Sequence, residues 1–251
     1  MTLPPEAMPR FELERKLRRS RVLNIVLGVV AVGGLLFGGI QWNAAQSGAA
    51  GTASTGDSAA GDNAGSAAVS HIRQIEGDPM AIGDIDAPVV LSEWVDFRCP
   101  FCAVVSRDTL PQVVKEYVDA GKVRIEMHDV AFFGEESVRA ATAARAAGEQ
   151  GRYFEFVKAV YDAAPESGHP ELPTEELIAF AKVAGVPDLK KFEADMERQD
   201  LIDAVHASTA QAQSLGVTGV PFFAIGDQAL SGAQPIEAFR QFIDQQLELA
   251  S

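Results

Sequence analysis

Residues 94–102 read WVDFRCPFC, an apolar run that breaks into two cysteines separated by Pro-Phe. These are the only 2 cysteines among 251 residues. The run from Val89 to Phe97 follows Asp86-Ala87-Pro88 and has the β-branched and aromatic content of a strand. Pro100, directly after Cys99, suits a first helical turn, where its missing N–H would have had no partner anyway. Beyond it Val104, Val105, Val113, Val114, Tyr117 and Val118 recur at helical spacing, and Gly121 supplies the stop. Pro111 falls inside this pattern and is expected to kink the helix. The pair thus stands where a strand hands over to a helix.

Further along, Val123, Ile125 and Met127 alternate with Arg124, Glu126 and His128, the period of a strand with one buried face and His128 at the surface. Strand, helix and strand in that order make a right-handed βαβ unit with a parallel sheet. From about Glu136 to Leu215 no strand signal appears, and Pro165, Pro170, Pro173 and Pro187 punctuate helical runs such as Thr174–Ala184. Pro221–Ile225, a Gly226-Asp227 turn and Gln228–Leu230 read as a hairpin, followed by a helix from Pro235 to about Leu249. The expected fold class is α/β, with residues 71–135 and 216–251 forming one domain and residues 136–215 a helical insertion.

A Cys-x-x-Cys pair has three readings. A structural zinc needs four ligands, yet no other cysteine exists and His71, His128, His169 and His206 are scattered without ligand spacing, so no metal is expected. A structural disulfide stabilises by closing a long loop, and a loop with two residues between the cysteines is nearly the shortest possible. The third reading is chemistry, a dithiol that cycles with its disulfide and needs no further cofactor. Free amides and the positive end of the dipole at a helix N-terminus stabilise a thiolate over a thiol. Cys99 is therefore the expected reactive sulfur, which must be reachable by a visiting thiol, and Cys102 the shielded internal partner.

The N-terminal 70 residues are of another kind. Residues 22–40 form 19 residues without a charge, spanning about 28 Å as a helix, close to the hydrocarbon thickness of a bilayer. A cleaved signal peptide competes, but the run exceeds a usual signal core of roughly 7–15 residues, which favours an uncleaved anchor. Residues 1–21 carry six basic and three acidic side chains, and no Lys or Arg appears after the apolar run until Arg73. That asymmetry places a basic tail in the cytoplasm and the remainder outside it, as a single-pass cell-membrane protein. Residues 41–70 read as a flexible Ala/Gly/Ser/Thr linker: 21 of the 27 residues in 43–69 are of these types, too little apolar surface to fold. The whole chain carries −14, so residues 22–251 without the basic tail carry about −17, a balance that argues against nucleic acid as a partner.

On LSEWVDFRCPFC (91–102), TLPQVVKEYVDAGKV (109–123), AATAARAAGEQGRYFEF (140–156) and GVTGVPFFAIGDQAL (216–230), the chain resembles the DsbA-type thiol:disulfide oxidoreductases over about residues 75–250. The resemblance implies a thioredoxin fold interrupted by a helical domain. It implies that Pro221, after Thr218-Gly219-Val220, is a cis-proline facing the cysteines, with Gly219, Val220, Pro100 and Phe101 on the substrate side. Glu93 matches a buried acid that assists proton movement at the inner cysteine. The implied partners are exported cysteine-containing proteins and a quinone-linked membrane oxidase of the DsbB or vitamin K epoxide reductase type. Pro-Phe replaces the Pro-His of the strongest oxidases and cannot donate a charged hydrogen bond, so the resemblance implies the exchange chemistry and leaves its direction open. A reductase or isomerase, or a non-redox chaperone module, are the rival functions.

Overall fold

The computed structural model describes residues 71–250. The tail, apolar span and linker read at 1–21, 22–40 and 41–70 lie outside the described residues. Among the described residues no helix is long and apolar enough to cross a membrane.

Strand β2 (Val89–Val95) is the centre of the sheet and is buried along its whole length, as a strand covered on both faces must be. It ends two residues before the expected Phe97 because Asp96 starts a turn: its Oδ1 accepts from the Arg98 amide at 2.9 Å. β2 pairs in parallel with β3 (Val123–Asp129), from Val89 opposite Val123 to Val95 opposite Asp129. On its other side it pairs antiparallel with β4 (Phe222–Ile225), which turns back into β5 (Gln228–Ser231). A two-residue strand, β1 (Ala81–Ile82), completes the order β1-β3-β2-β4-β5. Two residues are too short to carry a sequence period, so β1 has no signature.

The expectation of one buried face on β3 is corrected: all seven residues are buried, including Arg124, Glu126, His128 and Asp129. The alternation is real, but the segment before β1 covers the polar face. Arg73 and Gln74 donate their amides to the Glu126 carboxylate at 2.7 and 2.9 Å, and Arg124 pairs with it at 3.0 Å. His128, expected at the surface, is 3% exposed and stacks on Trp94 with ring centroids 4.9 Å apart. Burial, with the Arg73 charge beside it, pushes its pKa down to about 3, so it is neutral.

Helix α1 runs without interruption over residues 100–118. In place of a simple kink, π-helical turns at Val105–Thr109 and Val114–Val118 flank the α-turn Leu110–Val113 that holds Pro111. A proline cannot donate to the carbonyl four residues back, and wider turns on either side accommodate the missing bond. Five helices come next: α2 (Glu135–Gly148), α3 (Tyr153–Ala163), α4 (Thr174–Val183), α5 (Leu189–Asp195) and α6 (Gln199–Ser214). The alanines of α2, Ala140, Ala141, Ala143, Ala144, Ala146 and Ala147, are fully buried, small enough for other elements to pack close around this helix.

One hydrophobic cluster joins Val95, Phe97, Cys99, Cys102 and Met127 to Tyr153, Phe156, Leu177 and Phe192 of this helical block. A second cluster continues on the same face of the sheet, farther back along β2 from the cysteines, where α7 (Ile236–Leu249) and α1 pack Phe239, Ile243, Val113 and Tyr117 against Leu91 and Phe223.

Candidate active site

Cys99 is the N-cap of α1, with φ −81° and ψ 117°, and its amide donates to the Asp96 carbonyl at 3.0 Å. A side chain at an N-cap faces the first free amides of its helix, and the amides of Phe101 and Cys102 favour the Cys99 thiolate. The Cys102 thiol also donates to Cys99. That bond is the largest influence; with the two amides it outweighs burial and the Asp96 charge, lowering the Cys99 pKa to about 7. Cys102 is treated oppositely. Burial first, then its bond to Cys99 and the charge there, push its thiol well above the ordinary range.

Both cysteines are free thiols, and the contrast expected in their exposure is corrected: Cys99 is 3% exposed and Cys102 1%. Electrostatics, not accessibility, separates the two sulfurs. The cover over Cys99 is thin, because its thiol donates to the Val220 carbonyl at 3.5 Å while Thr218 and Gly219 are exposed and Val220 is half-buried.

The antiparallel register brings that loop there. Trp94 lies opposite Phe222, so the residues just before β4 fall beside those just after β2. The Val220–Pro221 peptide is cis and Pro221 is buried. Pro100 is buried, whereas Phe101 between the cysteines is 62% exposed. Glu93 stands between Met127 and Phe223 in the sheet, 1% exposed, and its Oε2 has no hydrogen-bond partner among the described residues. Burial raises its pKa to about 8, so at neutral pH it carries a proton.

Two residues next to the cysteines were not singled out from the sequence. Asp96, fully buried, accepts from the amides of Arg98 at 2.9 Å, Phe132 at 2.8 Å and Phe133 at 3.4 Å, and from the Ser137 hydroxyl at 2.8 Å. Arg98 reaches over the insertion: it donates to the carbonyls of Phe133, His169 and Pro170 and pairs with Glu136. The signal was present, since charged residues directly before a cysteine pair interrupt an otherwise apolar run.

The thioredoxin family model matches residues 76–245. The chain belongs to the thioredoxin family. Within it the DsbA-type resemblance holds. A probable disulfide bond formation protein D of Bacillus anthracis is 30% identical over 145 residues, 56% of this chain and 66% of that protein. Disulfide bond formation protein D of Bacillus subtilis is 23% identical over 186 residues, 73% of this chain and 83% of its own length. Among solved structures, oxidised BdbD from Bacillus subtilis superposes with a TM-score of 0.63 at 21% identity, over 69% of this chain and 94% of that one, a likeness of fold.

Proposed function

We propose that this chain is a thiol–disulfide oxidoreductase that introduces disulfides into exported proteins. The observation that carries the reading is the opposed acidity of two sulfurs one helical turn apart, Cys99 at about 7 and Cys102 far above it. A client thiolate attacks Cys99 of the Cys99–Cys102 disulfide; a client–Cys99 bond forms, and Cys102 leaves with the electron pair. Held well above neutral, Cys102 takes up a proton, and Glu93 is a protonated acid buried near it. The client's second thiolate then attacks the client sulfur of the mixed disulfide, releasing Cys99 as a thiolate that its amides stabilise. Two electrons pass from the client dithiol to the pair, and the pair itself is the only redox group required. The uncharged span at 22–40 and the basic tail support a membrane-anchored, extracytoplasmic domain, reoxidised by a quinone-linked partner of DsbB or vitamin K epoxide reductase type.

One observation favours the reverse direction as second reading. A Cys99 pKa of about 7 is that of thioredoxin rather than the roughly 3.5 of DsbA. At pH 7 such a thiol stabilises the reduced pair by only roughly 0.4 kcal/mol, or about 10 mV. Equilibrating the full chain in graded glutathione buffers, with free thiols trapped by alkylation, measures the potential. Oxidative refolding of a reduced test protein is followed in parallel. A potential above about −270 mV with accelerated refolding supports the oxidase, and one at or below that value the reductase. A pair that never exchanges with glutathione sinks both.

A further inference from the structure

Asp96 is a buried anion of an unusual kind. Carboxylates taken out of water are ordinarily paired with a cation, yet among the described residues none forms a salt bridge with Asp96. Its two oxygens are held by four neutral donors: Oδ1 by the Arg98 amide and the Ser137 hydroxyl, Oδ2 by the amides of Phe132 and Phe133. Four donors and no acceptor around it suit a carboxylate and leave no place for its proton. The neighbouring Arg98 guanidinium turns away, toward Glu136 and the carbonyls of Phe133, His169 and Pro170. The charge is therefore solvated by dipoles and not cancelled.

It also sits on the backbone that sets Cys99. The Asp96 carbonyl accepts from the Cys99 amide at 3.0 Å and from the Tyr161 hydroxyl at 3.2 Å. A fixed negative charge on that turn opposes a second negative charge on the sulfur beyond it. We propose that Asp96 is a positioning residue with a second effect, a built-in brake: it fixes the turn that presents Cys99 and, by its uncancelled charge, restrains that sulfur from becoming a strongly stabilised thiolate, which keeps the pair a mild oxidant. The inference rests on the exchange reading of the pair. After the Cys102 bond, burial and the two amides, the Asp96 charge is the last of the influences on Cys99, and it acts in the direction that raises its pKa, consistent with the geometry. Arg98, Glu136, His169, Glu93, Tyr161 and Cys102 also face this region, and all of them are kept when Asp96 alone is replaced.

The test uses full-length protein with Asp96→Asn and Asp96→Ser. Asn keeps the size of the side chain but must turn its amide against an N–H. Ser is small enough to leave room for a water at the loop amides. Near-UV circular dichroism and melting establish which variant is folded, and either one is read in the same way. The rate of Cys99 alkylation against pH should shift to a midpoint about one unit lower, the size expected of one charge in a partly buried site. The equilibrium with glutathione at pH 7 should move about fivefold toward the reduced pair, roughly 20 mV. A purely structural role would lower the melting temperature and leave the midpoint in place. A folded variant whose midpoint is unchanged or raised overturns the inference while the wild type still exchanges. A wild type that does not exchange overturns the reading beneath it instead.

Discussion

Two carboxylates at one end of β2 are buried equally and held in opposite ways. Glu93 lies between Met127 and Phe223 with one oxygen lacking a partner among the described residues, and burial raises its pKa to about 8. Asp96, three residues on, meets four donors; burial is the larger influence and raises its pKa as well, while each of its hydrogen bonds pulls back. Burial without donors neutralises an acid, whereas donors gathered around a buried carboxylate work to favour its charged form. The two cysteines divide in the same manner. Cys102 is buried near Glu93, with the Asp96 amide also reaching it, and Cys99 sits on the turn that Asp96 begins, facing helix amides.

The largest expected effect tests that division at the sulfurs. Cys99→Ser should lower exchange with a reduced client by about 1000-fold or more, whereas Cys102→Ala should accumulate a client–Cys99 mixed disulfide visible by non-reducing electrophoresis. Removing the Cys102 thiol also removes the main support of the Cys99 thiolate. The midpoint of Cys99 alkylation should therefore climb from about 7 toward 9 in Cys102→Ala; a midpoint that stays near 7 would break the comparison.

Next in size is Glu93. Its folded-state pKa of about 8 lies above the ordinary 4.5, so the stability that goes with its proton is complete below 4.5 and is lost as pH rises through 8. Urea unfolding at pH 5 and pH 9 should show the wild type losing about 4 kcal/mol more than Glu93→Gln over that interval. Equal losses would mean that Glu93 is solvated in solution. Ser137→Ala should cost about 1–2 kcal/mol by removing one donor from the Asp96 carboxylate, and leave the Cys99 alkylation midpoint in place. The smallest effect belongs to Phe101. At 62% exposure its replacement by Ala should change unfolding stability by less than about 0.5 kcal/mol, while slowing exchange with clients that carry apolar residues beside their cysteine.

The cysteine pair, the βαβ unit around it, the helical block and the closing hairpin and helix were legible because each rests on local signals: a period, a proline at a first turn, a Gly-Asp turn. What stayed hidden depended on contacts across the chain. β3 shows a polar alternation, and the segment at residues 73–80 folded over it, with Trp94 stacked on His128, turns His128 and Glu126 into buried groups. Asp96 reads as an ordinary charged residue until the amides of Phe132 and Phe133 arrive from the far side of β3. The exposure of Cys99 was likewise beyond the sequence, since Val220 reaches it from 121 residues away.

Because the helices between β3 and β4 share one apolar cluster with both cysteines, they are not a detachable lid. Excising residues 136–215 to leave a minimal redox module would strip away Tyr161, Phe156 and the alanine face of α2 and let water in beneath the pair. The sulfurs' unequal acidity would fade with the dry ground under Cys102. The helical block is thus as much a part of the redox chemistry as the strand that carries the cysteines.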